Sequence, residues 1–278
     1  MARLVGFISN RPDLGARAAE LYASQLVVRA RGASPPGFGV GFYQNGEVLL
    51  KRRPIFDRSE IGPADMLKDV RADLLIAHVR LGHADAARTE NTNPFRYRQW
   101  LFAHTGTLED HPRLGARMAE SIPGFLKRDL RGETGSEIFF HLFLSFLHDA
   151  GKLDRPTVDA ESVRSALRAC MALSDRLCAE EGLEKCASNI LVANPEYLLA
   201  VQGAAPMGFR FFSRLKDFER LFSPADFGKY RLSDFANAKL CLVASDFEDG
   251  RLPPDWIPVQ GRAIVTFDRT HEPQIEPL

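Results

Sequence analysis

The chain has 278 residues, 36 Lys+Arg against 36 Asp+Glu, and 45% apolar content, enough to bury about three quarters of its unfolded surface in a core. A formal net charge of zero excludes the broad basic excess that nucleic acid or an anionic lipid surface calls for, and leaves room only for a local basic pocket. The longest apolar stretch, Ile138 to Leu147, is interrupted by His141 and Ser145 and falls well short of the ~20 residues of a membrane span.

MARLVGFISNRP at the start has too short an apolar run for a secretory core, so a cytoplasmic protein is expected. Four cysteines, Cys170, Cys178, Cys186 and Cys241, are too few for a disulfide scaffold and show no CxxC pairing. They are expected as buried reduced thiols acting as small hydrophobes.

Arg3 to Ile8 reads as a short apolar strand, and a helical pattern runs from Asp13 to about Val27. RGASPPGFGVGFY then turns the chain into a strand over Val40 to Tyr43, and Asn45-Gly46 makes a hairpin into EVLLKR. Leu74 to Val79 and Trp100 to His104 read as buried strands, the second ending in the turn Thr105-Gly106-Thr107. From Ser136 the period becomes helical, with Ile138, Phe139, Leu142, Phe143, Phe146 and Leu147 on the pattern. A second helix covers Ala160 to about Glu181. Strands return as SNILVAN, EYLLAVQ, FRFF, KLCLVAS and RAIVTF, and RLPPDW near residue 253 is a loop. Blocks of strands, two helices and strands again favour an α+β layered fold over a doubly wound sheet. With no internal repeat, one domain over residues 1–278 is expected.

There is no Walker loop, no GxGxxG after a strand, no HExxH and no GxSxG, so no cofactor is expected. His78, His83 and His104 match no standard ligand spacing, and no metal is expected either. A set of ordered segments does stand out: MARLVGF at the start, GFGVGFY at residue 37, AHVR at 77, NTNPF at 91, WLFAHTGTL at 100 and GETGSE at 132. Together they resemble the class II glutamine amidotransferases of the small stand-alone kind, a branch of the N-terminal nucleophile hydrolases. The resemblance runs to about residue 150, and VASDFEDGRLPPDWIPVQ looks like that family's closing strand and loop. It implies a four-layer αββα sandwich of two mainly antiparallel sheets.

In that family a cysteine directly after the initiator Met attacks the glutamine amide, with its own α-amino group as base. Here the position is Ala2, and a methyl group cannot attack a carbonyl. By the same resemblance Arg80 matches the arginine that grips the substrate α-carboxylate, a bidentate task. Gly106 matches the glycine whose N–H forms half the oxyanion hole, while Thr105 replaces the asparagine of the other half. Gly135 stands in the place of an aspartate that pairs with the substrate ammonium; Ser136 and Glu137 match. His83 occupies a site near the substrate that often holds threonine or another small residue. Asn93 replaces a common histidine, and Phe38, where many relatives carry Trp, is expected on the pocket wall. Three functions altered together favour a natural loss of glutaminase chemistry over an engineered change of one residue.

Plainer roles compete at each position. Arg80 either binds ligand or pairs with a surface carboxylate. His78 and His104 read as satisfied buried histidines. Glu137 either contacts ligand or closes a T-x-x-E capping box with Thr134. Gly37, Gly39 and Gly41 read first as turn and strand-crossing positions. FRYRQW mixes basic and aromatic residues as single-strand binders do, yet the neutral charge makes it a surface loop beside a strand. Ser9 and Ser34 lack a visible base partner. Three functions follow: a non-catalytic scaffold that binds a carboxylate-bearing γ-glutamyl or amino-acid-like small molecule, or a protein partner; an active glutamine amidotransferase or γ-glutamyl amide hydrolase with a non-standard nucleophile; or a structural subunit beside an active homologue. An interaction with nucleic acid or membrane is not expected.

Overall fold

The computed structural model describes the chain apart from residues 1, 30–35, 45, 55–59, 63–65, 68–69, 82–87, 107, 109–110, 184–185 and 248–249. His83, Ser34, Asn45 and Thr107 of the sequence reading lie outside the described residues.

Strand β1 (Ala2–Ser9) shows how the layers arise. Successive side chains of a strand point to opposite faces, so Val5 and Phe7 enter one core and Leu4 and Ile8 another. After β1 come helix α1 (Gly15–Leu21), β2 (Val28–Arg29), β3 (Pro36–Gln44), β4 (Glu47–Pro54), β5 (Glu60–Ile61) and β6 (Leu74–Leu81). β7 (Phe95–Tyr97) and β8 (Trp100–Gly106) follow, then helices α2 (Pro112–Glu120), α3 (Gly135–Asp149) and α4 (Ala160–Glu180). The last third is β9 (Ser188–Ala193), β10 (Leu198–Gln202), β11 (Met207–Phe212), β12 (Leu240–Ser245), β13 (Ile257–Pro258), β14 (Ala263–Phe267) and β15 (Gln274–Pro277), with short helical turns between β11 and β12.

The strands form a seven-stranded sheet, β13-β11-β12-β1-β6-β3-β4, and a six-stranded sheet, β15-β14-β10-β9-β8-β7, with β2 and β5 as a separate ribbon. Strand pairs among the described residues are antiparallel, including β1 with both β12 and β6. Three cores separate four layers. Val5, Phe7, Val40 and Leu75 pack under α1 and the turns near Phe218 and Phe235. Leu4, Ile76, Leu101, Leu191 and Val243 fill the space between the sheets. Phe102, Val192 and Leu199 meet α2, α3 and α4 through Leu114, Phe139, Phe143 and Leu167. This is the expected α+β, αββα arrangement, and each fully buried Leu or Phe side chain contributes about 1.5–3 kcal/mol to it.

Helix starts follow their caps. Thr134 Oγ1 accepts from Glu137 N at 3.2 Å, and Asp159 Oδ1 accepts from Ser162 N at 2.8 Å, which satisfies otherwise orphaned N–H groups. α3 is apolar nearly all round because it is covered on several sides, by the six-stranded sheet and by α2 and α4.

One boundary is corrected. The helix read from Asp13 to Val27 is broken at Tyr22, whose hydroxyl donates to Asp255 at 2.6 Å and whose ring meets Trp256 edge-on at 5.2 Å. Gly39 lies within β3, the strand-crossing alternative, and a Cβ there would sit 2.0 Å from the Asn93 carbonyl oxygen, so close backbone approach requires glycine. The four cysteines are free and buried, as read.

Candidate active site

Three strand ends meet at one end of the layer between the sheets. Ala2 is the register partner of Arg80 across β1 and β6, and Arg80 is in turn the partner of Gly37 in β3. By alternation Ala2 shares the face of Leu4 and Ile8, Arg80 that of Leu74 and Ile76, and Thr105 that of Leu101 and Ala103, all of them residues of the inter-sheet core. The six-stranded sheet thus contributes Thr105 and Gly106 from β8, and the seven-stranded sheet contributes Ala2 and Arg80.

Asp246, just after β12, ties the two sheets together. Its φ of 59° is in the left-handed region, and its Oδ2 accepts from Thr105 Oγ1 at 3.3 Å and from the Ser245 hydroxyl. The main-chain oxygen of Asp246 accepts from the buried Arg3 guanidinium at 2.7 and 3.2 Å. Arg3 also donates to the carbonyls of Gln25 and Val27, at 2.5 and 3.2 Å. The head of β1, the segment after α1 and the Asp246 corner are therefore clamped together. Burial pushes the Asp246 carboxyl above its ordinary range, against the opposing pull of Ser245, Thr105, Asn189 and the Arg3 charge.

This geometry bears on oxyanion chemistry. An oxyanion hole works by donors preorganised toward developing negative charge. The Thr105 hydroxyl donates instead to a carboxylate, whose own charge opposes an anionic intermediate nearby. Gly106 has φ 155°, and a Cβ there would lie 2.0 Å from the Ala187 carbonyl oxygen, so only glycine fits the end of β8.

Gly135, at the start of α3, is packed against Leu108: a Cβ would lie 2.7 Å from its carbonyl oxygen and 2.8 Å from its Cβ. Phe38 is 5% exposed in the core under α1; it neighbours Val79 in register, so it faces away from Arg80 and does not line that pocket. The Glu137 side chain accepts from the N–H groups of Arg131 and Gly132, at 3.0 and 2.7 Å. It does not return to Thr134, so the capping box is only half formed; its carboxylate is turned toward the preceding loop. His104 is bonded to Ser136 Oγ at 2.9 Å and Ser188 Oγ at 3.0 Å, as a satisfied buried histidine. His78 is not: both ring nitrogens lack a partner among the described residues. It sits between Leu4 and Gly39 in register, and burial, with the charge of Arg80 behind it, lowers its pKa to about 3. Ser9 Oγ donates to the Lys239 carbonyl at 2.8 Å. Asn93 Oδ1 accepts from His104 N at 3.1 Å.

Asp246 was missed as a site residue. The only signal was the ASDF of the closing strand, and nothing in its spacing tells that a left-handed turn aims the carboxylate at Thr105. Among the described residues no cluster of His, Cys, Asp and Glu is arranged to hold a metal ion, and no helix is long and apolar enough to cross a membrane.

A four-layer sandwich of two antiparallel sheets between helix layers is an N-terminal nucleophile hydrolase architecture. Residues 1–222 match the class II glutamine amidotransferases, and the chain belongs to that family. A Saccharomyces cerevisiae protein described as probable glutamine amidotransferase DUG3 is 27% identical over 151 residues, 51% of this chain and 42% of that protein. An uncharacterized Methanocaldococcus jannaschii protein is 29% identical over 116 residues, 40% of this chain and 30% of that protein. The matched regions span less than half the length of these curated relatives.

Among solved structures, a glutamine aminotransferase class-II domain protein from Silicibacter pomeroyi superimposes with TM-score 0.58 at 17% identity, over 99% of both chains. A predicted glutamine amidotransferase from Pseudomonas aeruginosa gives TM-score 0.59 at 19% identity, over 96% of this chain and 97% of that one. At such identities the likeness is one of fold.

Proposed function

We propose that the chain is an amidotransferase scaffold that has lost glutaminase chemistry and binds a carboxylate-bearing, amino-acid-like small molecule at Arg80. The observation that carries this reading is the Ala2–Arg80 register pair: the position beside the guanidinium offers a methyl group where the reaction needs a thiolate. Two further features support it. The Thr105 hydroxyl is committed to Asp246, and Leu108 fills the space that an acidic side chain at position 135 would need. An arginine retained without a nucleophile is suited to holding a ligand, since a guanidinium grips a carboxylate through two parallel hydrogen bonds.

Ammonia release from glutamine by the unmodified protein and by Ala2→Cys, with intact mass to define the N-terminus, tests the loss of catalysis. Silence from both is expected, with glutamate or glutamine binding abolished in Arg80→Ala. Robust release by Ala2→Cys would show a pocket that lacks only its sulfur, and release by the unmodified protein would reveal another nucleophile.

A further inference from the structure

A cavity of about 550 Å³ lies where the edge strands of both sheets, β4 and β7, meet the start of α3. Its wall holds four guanidiniums: Arg52 from β4, Arg96 from β7, Arg98 just beyond it, and Arg131 from the loop before α3. Arg98 is paired with Asp154. None of the other three has a carboxylate within ion-pair distance among the described residues. Arg52 spends only Nη1, on the carbonyls of Thr92 and Pro94 at 3.2 and 3.5 Å. Arg96 spends Nε and Nη1 on the carbonyls of Arg98 and Val48, at 3.1 and 2.9 Å. The two carboxylates on the wall, Asp129 and Glu137, leave an excess of positive charge, and Glu137 is already occupied by two backbone N–H groups.

His141 completes the wall and is 3% exposed. Its Nδ1 lies 2.9 Å from the Glu137 carbonyl oxygen, which can only accept, so Nδ1 carries the proton and Nε2 of the neutral ring is an acceptor. Nε2 is buried without a partner among the described residues.

The geometry points to a binding site for the phosphate group of a small molecule in this cavity, distinct from the Arg80 site. Guanidiniums supplied by three separate segments suit a tetrahedral anion with several acceptor oxygens better than a planar carboxylate, which one arginine satisfies. The hydroxyl of a hydrogen phosphate can also donate to an acceptor such as His141 Nε2, which an ionised carboxylate cannot. Tyr97 and Phe95 in the same wall give the rest of such a ligand an aromatic surface. The basic-aromatic segment FRYRQW thereby acquires a role that the neutral overall charge had hidden.

Calorimetric titration of the full chain with inorganic phosphate, phenyl phosphate and acetate tests the site. One saturable site for both phosphates and none for acetate is expected. Arg131→Ala and Arg96→Ala should each weaken phosphate about tenfold or more, the usual effect of losing a charge-assisted hydrogen bond. Arg131 is exposed and its guanidinium makes no bond among the described residues, so its loss should leave folding intact, which circular dichroism checks. Phosphate binding unchanged in both variants, equal binding of acetate, or no saturable binding at millimolar phosphate would overturn the proposal. So would much tighter binding of a single-stranded oligonucleotide that Arg131→Ala removes, since that is a nucleic-acid surface. Glutamate binding through Arg80 should be the same in both variants, so failure here leaves the reading of the first site standing.

Discussion

Thr105 Oγ1 donates a hydrogen bond to Asp246 Oδ2 across 3.3 Å, joining the end of β8 in one sheet to the residue after β12 in the other. The contact gives the mouth of the inter-sheet layer an electrostatic character opposite to that of an oxyanion hole. It also places a carboxylate where burial disfavours its charge.

Asp246→Asn should therefore stabilise the protein at neutral pH. Burial raises the folded-state pKa of Asp246 above its ordinary 3.8. The folded protein then holds this proton more tightly than the unfolded chain. The associated stability is complete below the unfolded value and lost as pH rises through the folded one. Asparagine keeps an acceptor for Thr105 and tolerates the left-handed backbone. The variant's melting temperature should exceed the parent's at neutral pH, with the gap closing under acid conditions. A lower melting temperature at neutral pH would mean that the Ser245 and Thr105 hydrogen bonds outweigh the desolvation of the ion.

Gly135→Asp should destabilise the fold without restoring an ammonium site. The new Cβ would meet the Leu108 carbonyl oxygen at 2.7 Å and Leu108 Cβ at 2.8 Å, an overpacking that typically costs about 1–3 kcal/mol. Adding Leu108→Gly should not restore stability, because the carbonyl clash remains and a buried leucine side chain is lost as well. Urea denaturation of the single and double variants measures both; an unchanged midpoint for Gly135→Asp would show that the start of α3 shifts freely.

How much of this was legible in the sequence follows from range. Alternation in Arg3–Ile8 and the helical period from Ser136 are local signals, and β1 and α3 appear within two residues of where they were read. The ordered motifs placed Ala2 and Arg80 together, and they are register partners. α2 escaped because only Leu114, Gly115 and Met118 of its nine residues are buried, too thin a stripe to stand out. Phe38 was misassigned because its strand was read to start at Val40, so its face was not fixed by alternation; with β3 starting at Pro36 it points to the helix layer. The Asp246 contact was invisible because it joins residues 141 apart through a single left-handed turn.

Asp159→Ala should cost about 1 kcal/mol, the usual value of a helix N-cap. Asp159 Oδ1 accepts from Ser162 N at 2.8 Å at the start of α4. Its carboxyl is held well below the ordinary 3.8 by that backbone bond first, then by Lys152 and the Ser162 hydroxyl. With a lowered folded-state pKa, the contribution is present above the unfolded value and fades as pH falls through the folded one. Parent and variant should therefore differ in chemical denaturation at neutral pH and converge in strong acid; a constant difference would assign the loss to something other than the charged cap.

Thiol chemistry separates the core from the mouth of the site. Cys170, Cys178, Cys186 and Cys241 are free and buried. Burial raises all four thiols, Cys186 to about 12, so the thiolate that attacks a disulfide reagent is scarce in the native state. The folded parent should react with a chromogenic disulfide reagent only as fast as it opens, and release all four equivalents at once in denaturant. Ala2 is partly exposed at the head of β1, so Ala2→Cys should add a single fast equivalent under native conditions. Protection of that thiol by glutamate, lost when Arg80 is also changed to Ala, would place the ligand beside both residues; fast labelling that glutamate leaves untouched would separate Arg80 from the space in front of position 2.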